Sequence, residues 1–422
     1  VFDTLLMDRG NEQRYRDRSN NQWRAWLERV FRENRPWKDA VSEILLARPE
    51  SNSDRGVVWF LYERKDDHQK IAESVARAFF GIRIDCAQCH DHMIASEIEQ
   101  RHYWGLVAFF NRSQNVKTKN GPRVEESAIG GFSDFANLEG SSSPNLLTFF
   151  QSPTVDEQRP ADGEKQVDAD DLYMPPPREH EPRIPRFSRR QQLVDHIVAD
   201  HPLLAPAFVN RVWAMLMGRG IVHPFDQMDS AHPPSHPELL ADLASAFEDS
   251  GEDIRELVKA IVLSRPYQLT SVRPDGINDP STFAWTLEKP LTAEQLSRSI
   301  QVAVQGSFRN DHPLTVKLRD ALPDVMPEQS VTSIGDALFL TNNAAINDLI
   351  ASSREPTHLV PTLLNITDVD QRADDLFTTV FGRLPTADER VRVAEFCQQD
   401  AEHRLPQVLW ALLCSAEFRF NH

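Results

Sequence analysis

Apolar side chains recur at three- and four-residue spacing in two long regions of the chain, and between them, from about residue 111 to residue 187, that spacing is absent. A period of three to four puts apolar groups on one face of a helix, and that face must be buried against other helices. The chain is thus constrained to two helical regions interrupted by a segment of different character. In the first region Trp23, Trp26, Leu27, Val30 and Phe31 predict a helix stopped by Pro36, and Val41, Ile44 and Leu45 predict a second ending by Pro49. Ile71, Ala72, Val75, Ala78 and Phe79 predict a third, ended at Gly81; Tyr103, Leu106, Val107 and Phe110 predict a fourth.

The middle segment is punctuated by Gly130-Gly131, by Ser141 to Pro144, by Asp162-Gly163 and by Pro175-Pro176-Pro177. Such residues favour turns, and the short apolar piece Leu146-Leu147-Thr148-Phe149-Phe150 between them reads as a strand candidate. From Ser188 onward helical spacing returns. Ser235 to Glu238, Thr292 to Gln295 and Thr386 to Glu389 have the form of capping boxes, in which a hydroxyl and an acidic or amide side chain exchange hydrogen bonds at a helix start. The last helix is expected to carry Val408, Leu409, Leu412, Leu413 and Phe418. The fold class expected is mainly α: a helical domain over residues 1–112, a β-containing insert with a proline-rich linker over 113–187, and a second helical domain over 188–422.

The charge balance narrows the partners. Lys and Arg number 46 against 63 Asp and Glu, a net charge of -17, so the chain as a whole cannot neutralise phosphates and is not expected to bind nucleic acid. No apolar run reaches the ~18–20 residues of a membrane span, so no transmembrane segment is expected. No signal peptide is visible ahead of Val1, which fits a processed or trimmed chain. The 4 cysteines are too few for a disulfide scaffold, so their positions matter more than their number. Cys397 and Cys414 fall on the last helices and read as buried apolar residues or as one disulfide between them.

The sharpest chemical signal is Cys86-Ala87-Gln88-Cys89-His90. Cys-x-x-Cys-His is the attachment pattern for c-type haem: two thiols three positions apart reach the two vinyl groups of one porphyrin, and the next residue offers an imidazole to the iron. Cys86 and Cys89 are the expected covalent attachments and His90 the proximal ligand. Two other readings compete. One is that Cys86, Cys89, His90 and His92 together hold zinc or iron without haem, although four ligands so close in sequence do not easily surround one ion. A redox dithiol is the other, but the βαβ pattern that usually carries it is missing. For the second axial position the candidates are His102, on the following helix, and Met174, before the proline run; an open position is the third option. In the second half Arg211, Trp213, Arg219, His223, Asp226, Asp229, His232, His236 and Glu238 crowd into 28 residues. They could serve acid–base chemistry or a metal, but capping and loop anchoring are the expected roles. Asp168, Asp170 and Asp171 read as a solvated loop. Gly-x-Ser-x-Gly is absent, which ranks hydrolysis last.

The run Phe79-Phe80-Gly81-Ile82-Arg83-Ile84-Asp85-Cys86-Ala87-Gln88-Cys89-His90-Asp91-His92, followed by His102 to Phe110, resembles the planctomycete cytochrome c-type paralogous proteins, which join a PSCyt domain to a PSD domain. Val209-Asn210-Arg211-Val212-Trp213, Met217 to Pro224, Pro233 to Leu240, Ser264 to Gln268 and Trp410 to Phe418 resemble the PSD half. The chain departs from the family in having Met93, Ile94 and Glu97 where Pro-Phe and a Trp often follow, and the separate cytochrome module of many members is not among these residues. The resemblance implies an exported periplasmic or extracellular protein, with haem c, working with a redox partner or an envelope assembly, and it implies no known substrate. The alternative is a non-haem binding or scaffold module whose Cys/His cluster holds zinc or is only structural. A haem would also need cover, for which Arg211 (to a propionate) and Trp213 (to the ring face) are the expected residues, on a helix packed against residues 82–92.

Overall fold

The computed structural model describes residues 1–161, 163–175, 183–322 and 344–421, and its helices stand where the apolar stripes place them. The first region gives α1 (Phe2–Met7), α2 (Glu12–Asn20), α3 (Trp23–Arg32), α4 (Trp37–Leu46), a short α5 (Trp59–Tyr62), α6 (His68–Phe80) and α7 (Gln100–Phe110). Gly81 takes a left-handed conformation (φ 65°) and closes α6, the sharp turn that only a residue without Cβ adopts at no cost.

The insert is β-containing but slight. Strands β1 (Ser113–Thr118) and β2 (Gly121–Glu126) form one antiparallel hairpin with Ser113 opposite Glu126; β3 (Asp134–Ala136) pairs with β4 (Ser142–Pro144), and β5 (Tyr173–Met174) with β6 (Ile184–Pro185). The expected strand at Leu146–Phe150 is instead a loop, buried from Leu147 to Phe150, with a single bridge between Leu147 and Val155. Its apolar residues are used for packing on α7: a Cβ at Gly105 would come within 2.4 Å of the Thr148 carbonyl, so the loop lies directly on the helix backbone. Residues 176–182, most of the proline-rich linker, lie outside the described residues.

Helices α8 (Arg189–Leu193), α9 (Leu204–Met217), α10 (Pro237–Asp249) and α11 (Ile254–Val262) follow. The capping box expected at Ser235 does not form. Its hydroxyl donates to the Ile221 carbonyl, and His236 becomes the cap residue of a helix that starts on Pro237. The boxes at Thr292 and Thr386 form in full. The last predicted helix is two, Ala401–Leu413 and Ala416–Arg419, divided where Ser415 caps the second.

Packing divides the chain near Thr286. One unit comprises residues 1–269 with 273–285; the other comprises 270–272 with 286–422. The reason is visible at Phe208 on α9. Its ring lies 4.5 Å from Trp37, 5.8 Å from Phe2 and 5.2 Å from Phe247, so N-terminal helices and α9–α10 share one aromatic core. The insert is fastened to the same unit through charge: buried Glu126 accepts from Arg48, Ser188 and Arg190, and Arg112 and Arg189 both pair with Glu157. A buried carboxylate with several donors is tolerated where an unpaired one is not. The second unit has its own core, with Leu296, Ile300, Leu318, Leu376, Leu409 and Leu413 at its centre. A two-residue pairing of Lys289–Pro290 with Phe420–Asn421 joins its two ends.

Two outcomes follow from this packing. A protease site engineered between residues 176 and 182 and then cut should leave one particle on gel filtration under native conditions, because both sides of the cut contribute to one core. The second concerns His201, buried between Phe80 and Phe149 with Nε2 donating to the Phe150 carbonyl at 2.9 Å. Burial pushes this imidazole down to about 4, although the Phe150 bond favours its charged form. The unfolded chain takes up a proton at the usual ~6.5, so stability is full above that pH and is lost as pH falls toward 4. Chemical denaturation should show the wild type losing up to about 3 kcal/mol over this range beyond what His201→Gln loses.

Candidate functional site

Cys86 lies in a 3-10 turn, Asp85–Gln88, and Cys89 caps it. In such a turn residues three apart stand on the same side. Both thiols are exposed and unbridged, while Ile82, Ile84 and Ala87 face inward and are fully buried. The turn is held from behind. The Gln88 carbonyl accepts from Gln100 Nε2 (3.1 Å) and from the indole of Trp104 (3.0 Å), and the Gln88 amide donates to Gln69. Asp91 takes the Gln100 backbone N–H at 2.8 Å.

The same stretch is clamped at both ends by the loop after α9. Met228 N–H donates to the Gly81 carbonyl (2.8 Å), Arg83 Nε donates to Asp226 (3.0 Å), and Ser230 gives its N–H and its hydroxyl to the two Glu97 oxygens (2.8 Å each). Burial acts to raise the Glu97 carboxyl, but the Ser230 bonds hold it below its ordinary value.

The histidines near the motif differ in which nitrogen is free. His90 Nδ1 lies 2.7 Å from the Asp91 carbonyl. A carbonyl can only accept, so Nδ1 carries the hydrogen and the neutral ring presents its lone pair at Nε2. This is the arrangement in which a second partner orients a metal-binding imidazole. His92 is the reverse: Nδ1 accepts from the Ala95 N–H at 2.9 Å, which leaves the hydrogen on Nε2. His102 is the reverse too. Its Nδ1 accepts the Glu99 N–H (3.0 Å) as the return half of a capping box on α7, the ring is buried, and burial lowers its proton affinity.

His102, expected as an axial ligand, is therefore a helix cap. The signal was present as Glu99-x-x-His102, a box with His in place of Glu or Gln. Met174 stands half-exposed on β5 with its sulfur 3.5 Å from Arg186 Nη1. Arg211 and Trp213, expected to cover a haem, are interior residues. The Arg211 guanidinium donates to the Ala78 carbonyl (2.5 Å) and the Arg77 carbonyl (2.8 Å), the open end of α6, and has no propionate-facing surface; Trp213 packs edge-on against Phe283 at 5.2 Å. The helix that carries them does pack on this part of the chain, but on α6, while the loop that follows it reaches residues 81–97.

Among the other polar residues of the second half, Asp229 pairs locally with His232 (2.8 Å) and His236 with Ser235 (3.1 Å), while Asp226 reaches across to Arg83. Asp168 accepts from Tyr173 and Arg183, which makes it a structural anchor of the insert. Cys397 and Cys414 are unbridged, and burial raises both thiols. Among the described residues no three His, Cys, Asp or Glu side chains converge so as to hold a metal ion. Cys86, Cys89, His90 and His92 are not gathered into such a group; the two thiols are exposed and the His90 ring is partly exposed. Among the described residues no helix is long and apolar enough to cross a membrane.

Residues 3–115 match PSCyt2, described as a protein of unknown function (DUF1549), and residues 189–312 match PSD1, described as a protein of unknown function (DUF1553). No curated protein and no solved structure matches the chain.

Replacing Arg211 tests the joint between the two matched regions. Arg211→Met keeps the volume but leaves two helix-end carbonyls buried without donors. Equilibrium unfolding should show the first unit weakened by about 2–4 kcal/mol.

Proposed function

The chain belongs to the family in which a PSCyt domain is followed by a PSD domain, and from that premise we propose that it is an exported c-type haem protein that passes electrons to or from a partner in the cell envelope. The observation that carries this reading is the geometry of Cys86, Cys89 and His90: two free thiols on one side of a 3-10 turn, followed by an imidazole whose Nδ1 is tied to a carbonyl. Cys86 and Cys89 would form the thioethers and His90 Nε2 would bind the iron. A haem held there supplies one iron that exchanges single electrons.

The chain's own contribution is positioning. The Gln88 carbonyl, fixed by Gln100 and Trp104, keeps the turn from unwinding. Asp91 fixes the His90 tautomer through its backbone and the start of α7 through its carboxylate. The same loop carries Met93 and Ile94, which are 82% and 73% exposed, so the surface beside the motif is apolar and open. An apolar open surface suits a flat hydrophobic group and a docking electron partner better than it suits a water-filled hydrolytic site. A zinc-bearing scaffold is not favoured, because the neighbouring His92 offers no lone pair at Nε2.

The test is the visible spectrum of the chain produced in an oxidising envelope together with haem-attachment machinery. The expected result is a Soret band that stays with the polypeptide through acid–acetone extraction. It should become extractable or vanish in Cys89→Ala and persist in His102→Ala. A wild-type chain with the mass of the bare polypeptide and no haem would overturn the reading.

A further inference from the structure

A cleft of about 1150 Å³ opens among α2, α5 and α6, and it meets the motif only at its rim, through Arg83 and Asp85. Neither cysteine nor His90 lines it. Its volume stands just above the ~300–1,000 Å³ usual for small-molecule sites. The wall is polar, and most of its charge is already neutralised in place. Arg14 pairs with Glu63, Arg77 with Asp8, Lys70 with Asp67, and Arg83 with Asp226 outside the cleft. Arg64 is buried and gives its donors to the Leu6 and Phe60 carbonyls and to Ser74.

What remains for a ligand is a set of hydrogen-bonding groups without ion partners. Asp85 makes no hydrogen bond or ion pair among the described residues. The Asp17 carboxylate accepts from the Gln13 amide at 2.8 Å, and one Glu73 oxygen takes the Tyr103 hydroxyl at 2.9 Å. Lys65 and Gln13 supply donors, and the half-buried ring of Tyr62 supplies an apolar face.

This inventory selects among ligand classes. An anion finds every guanidinium of the wall engaged, in a chain of net charge -17. An apolar ligand would strip water from a dozen polar groups and return nothing. A cation meets Lys65 in the wall, and the Glu73 carboxyl, raised by burial despite the Tyr103 bond, resists ionising. A ligand with many hydroxyls satisfies all of them: carboxyl oxygens accept from hydroxyls, amide and ammonium groups donate to them, and the Tyr62 ring takes a C–H face. We propose that this cleft binds a neutral, polyhydroxylated ligand of the oligosaccharide class, as a site separate from the Cys-x-x-Cys-His turn and not dependent on what that turn carries.

Calorimetric titration of the full chain tests it, with maltohexaose, cellohexaose and laminarihexaose as neutral probes, hexagalacturonate as the anion and spermine as the cation. The expected result is saturable binding of at least one neutral hexasaccharide with Kd below about 1 mM. That binding should weaken about tenfold or more when Gln13→Ala and Asp85→Ala, both exposed positions, are combined. It should be unchanged in the chain carrying Cys86→Ala and Cys89→Ala, so failure of the haem reading does not affect it. Three outcomes overturn the proposal: no binding of any neutral probe at millimolar concentration, preference for hexagalacturonate or spermine, or undiminished affinity in the double variant whose fold is intact by circular dichroism.

Discussion

The position of the Cys-x-x-Cys-His turn depends on one buried cation. Every helix ends with carbonyls that have no partner within it, and at the end of α6 two of these face the interior. Arg211 from α9 supplies their donors. Immediately after them Gly81 turns the chain, and the segment carrying the motif leaves from that fixed point. Burying a guanidinium is expensive unless its hydrogen bonds are satisfied, and here burial is offset by two carbonyls and by the nearby charge of Asp226. Phe208 and Arg211 are three residues apart, hence on one face of α9. One helix face therefore inserts a ring into the N-terminal aromatic core and a charge onto the end of α6. The two family regions, separate along the sequence, are one body in this part of the chain because that face serves both.

Much of the fold was legible because it is local. Periodicity gave α3, α4, α6 and α7, and the Thr-x-x-Gln and Thr-x-x-Glu boxes at 292 and 386 formed as written. The failures share a cause: a group with two available partners took the more distant one. Ser235 had a helix to cap and bonded the Ile221 carbonyl instead. Leu146 to Phe150 had the composition of a strand, but the bare backbone at Gly105 lets Leu147 to Phe150 lie buried against α7 as a loop. Arg211 read as cover for a haem propionate, since nothing in its neighbours along the chain reveals that α6 ends against it.

The candidate site was legible in its residues and not in its chemistry. His90, His92 and His102 are the same side chain at three nearby positions. Their difference is which ring nitrogen already holds a partner: a carbonyl for His90, backbone N–H groups for the other two. Only the first keeps its lone pair at Nε2. The charged cleft was invisible for a related reason. Its wall is assembled from α2, α5 and α6, and its ion pairs join residues as far apart as Asp8 and Arg77. No spacing rule in the sequence brings such partners together.

The two residues between the cysteines explain why a thiol pair can stay exposed on a rigid frame. In a 3-10 turn the first and fourth positions share a side and the intervening pair points elsewhere. Ala87 fills the inward position and is fully buried, where a larger side chain would meet a close-packed interior. Gln88 uses both ends of its structure, its amide on Gln69 and its carbonyl on Gln100 and Trp104. The inward groups pin the turn to α6 and α7, and the outward thiols follow by geometry. Rigidity and accessibility are thus not in competition in this turn, since different residues of the same five-residue motif supply each.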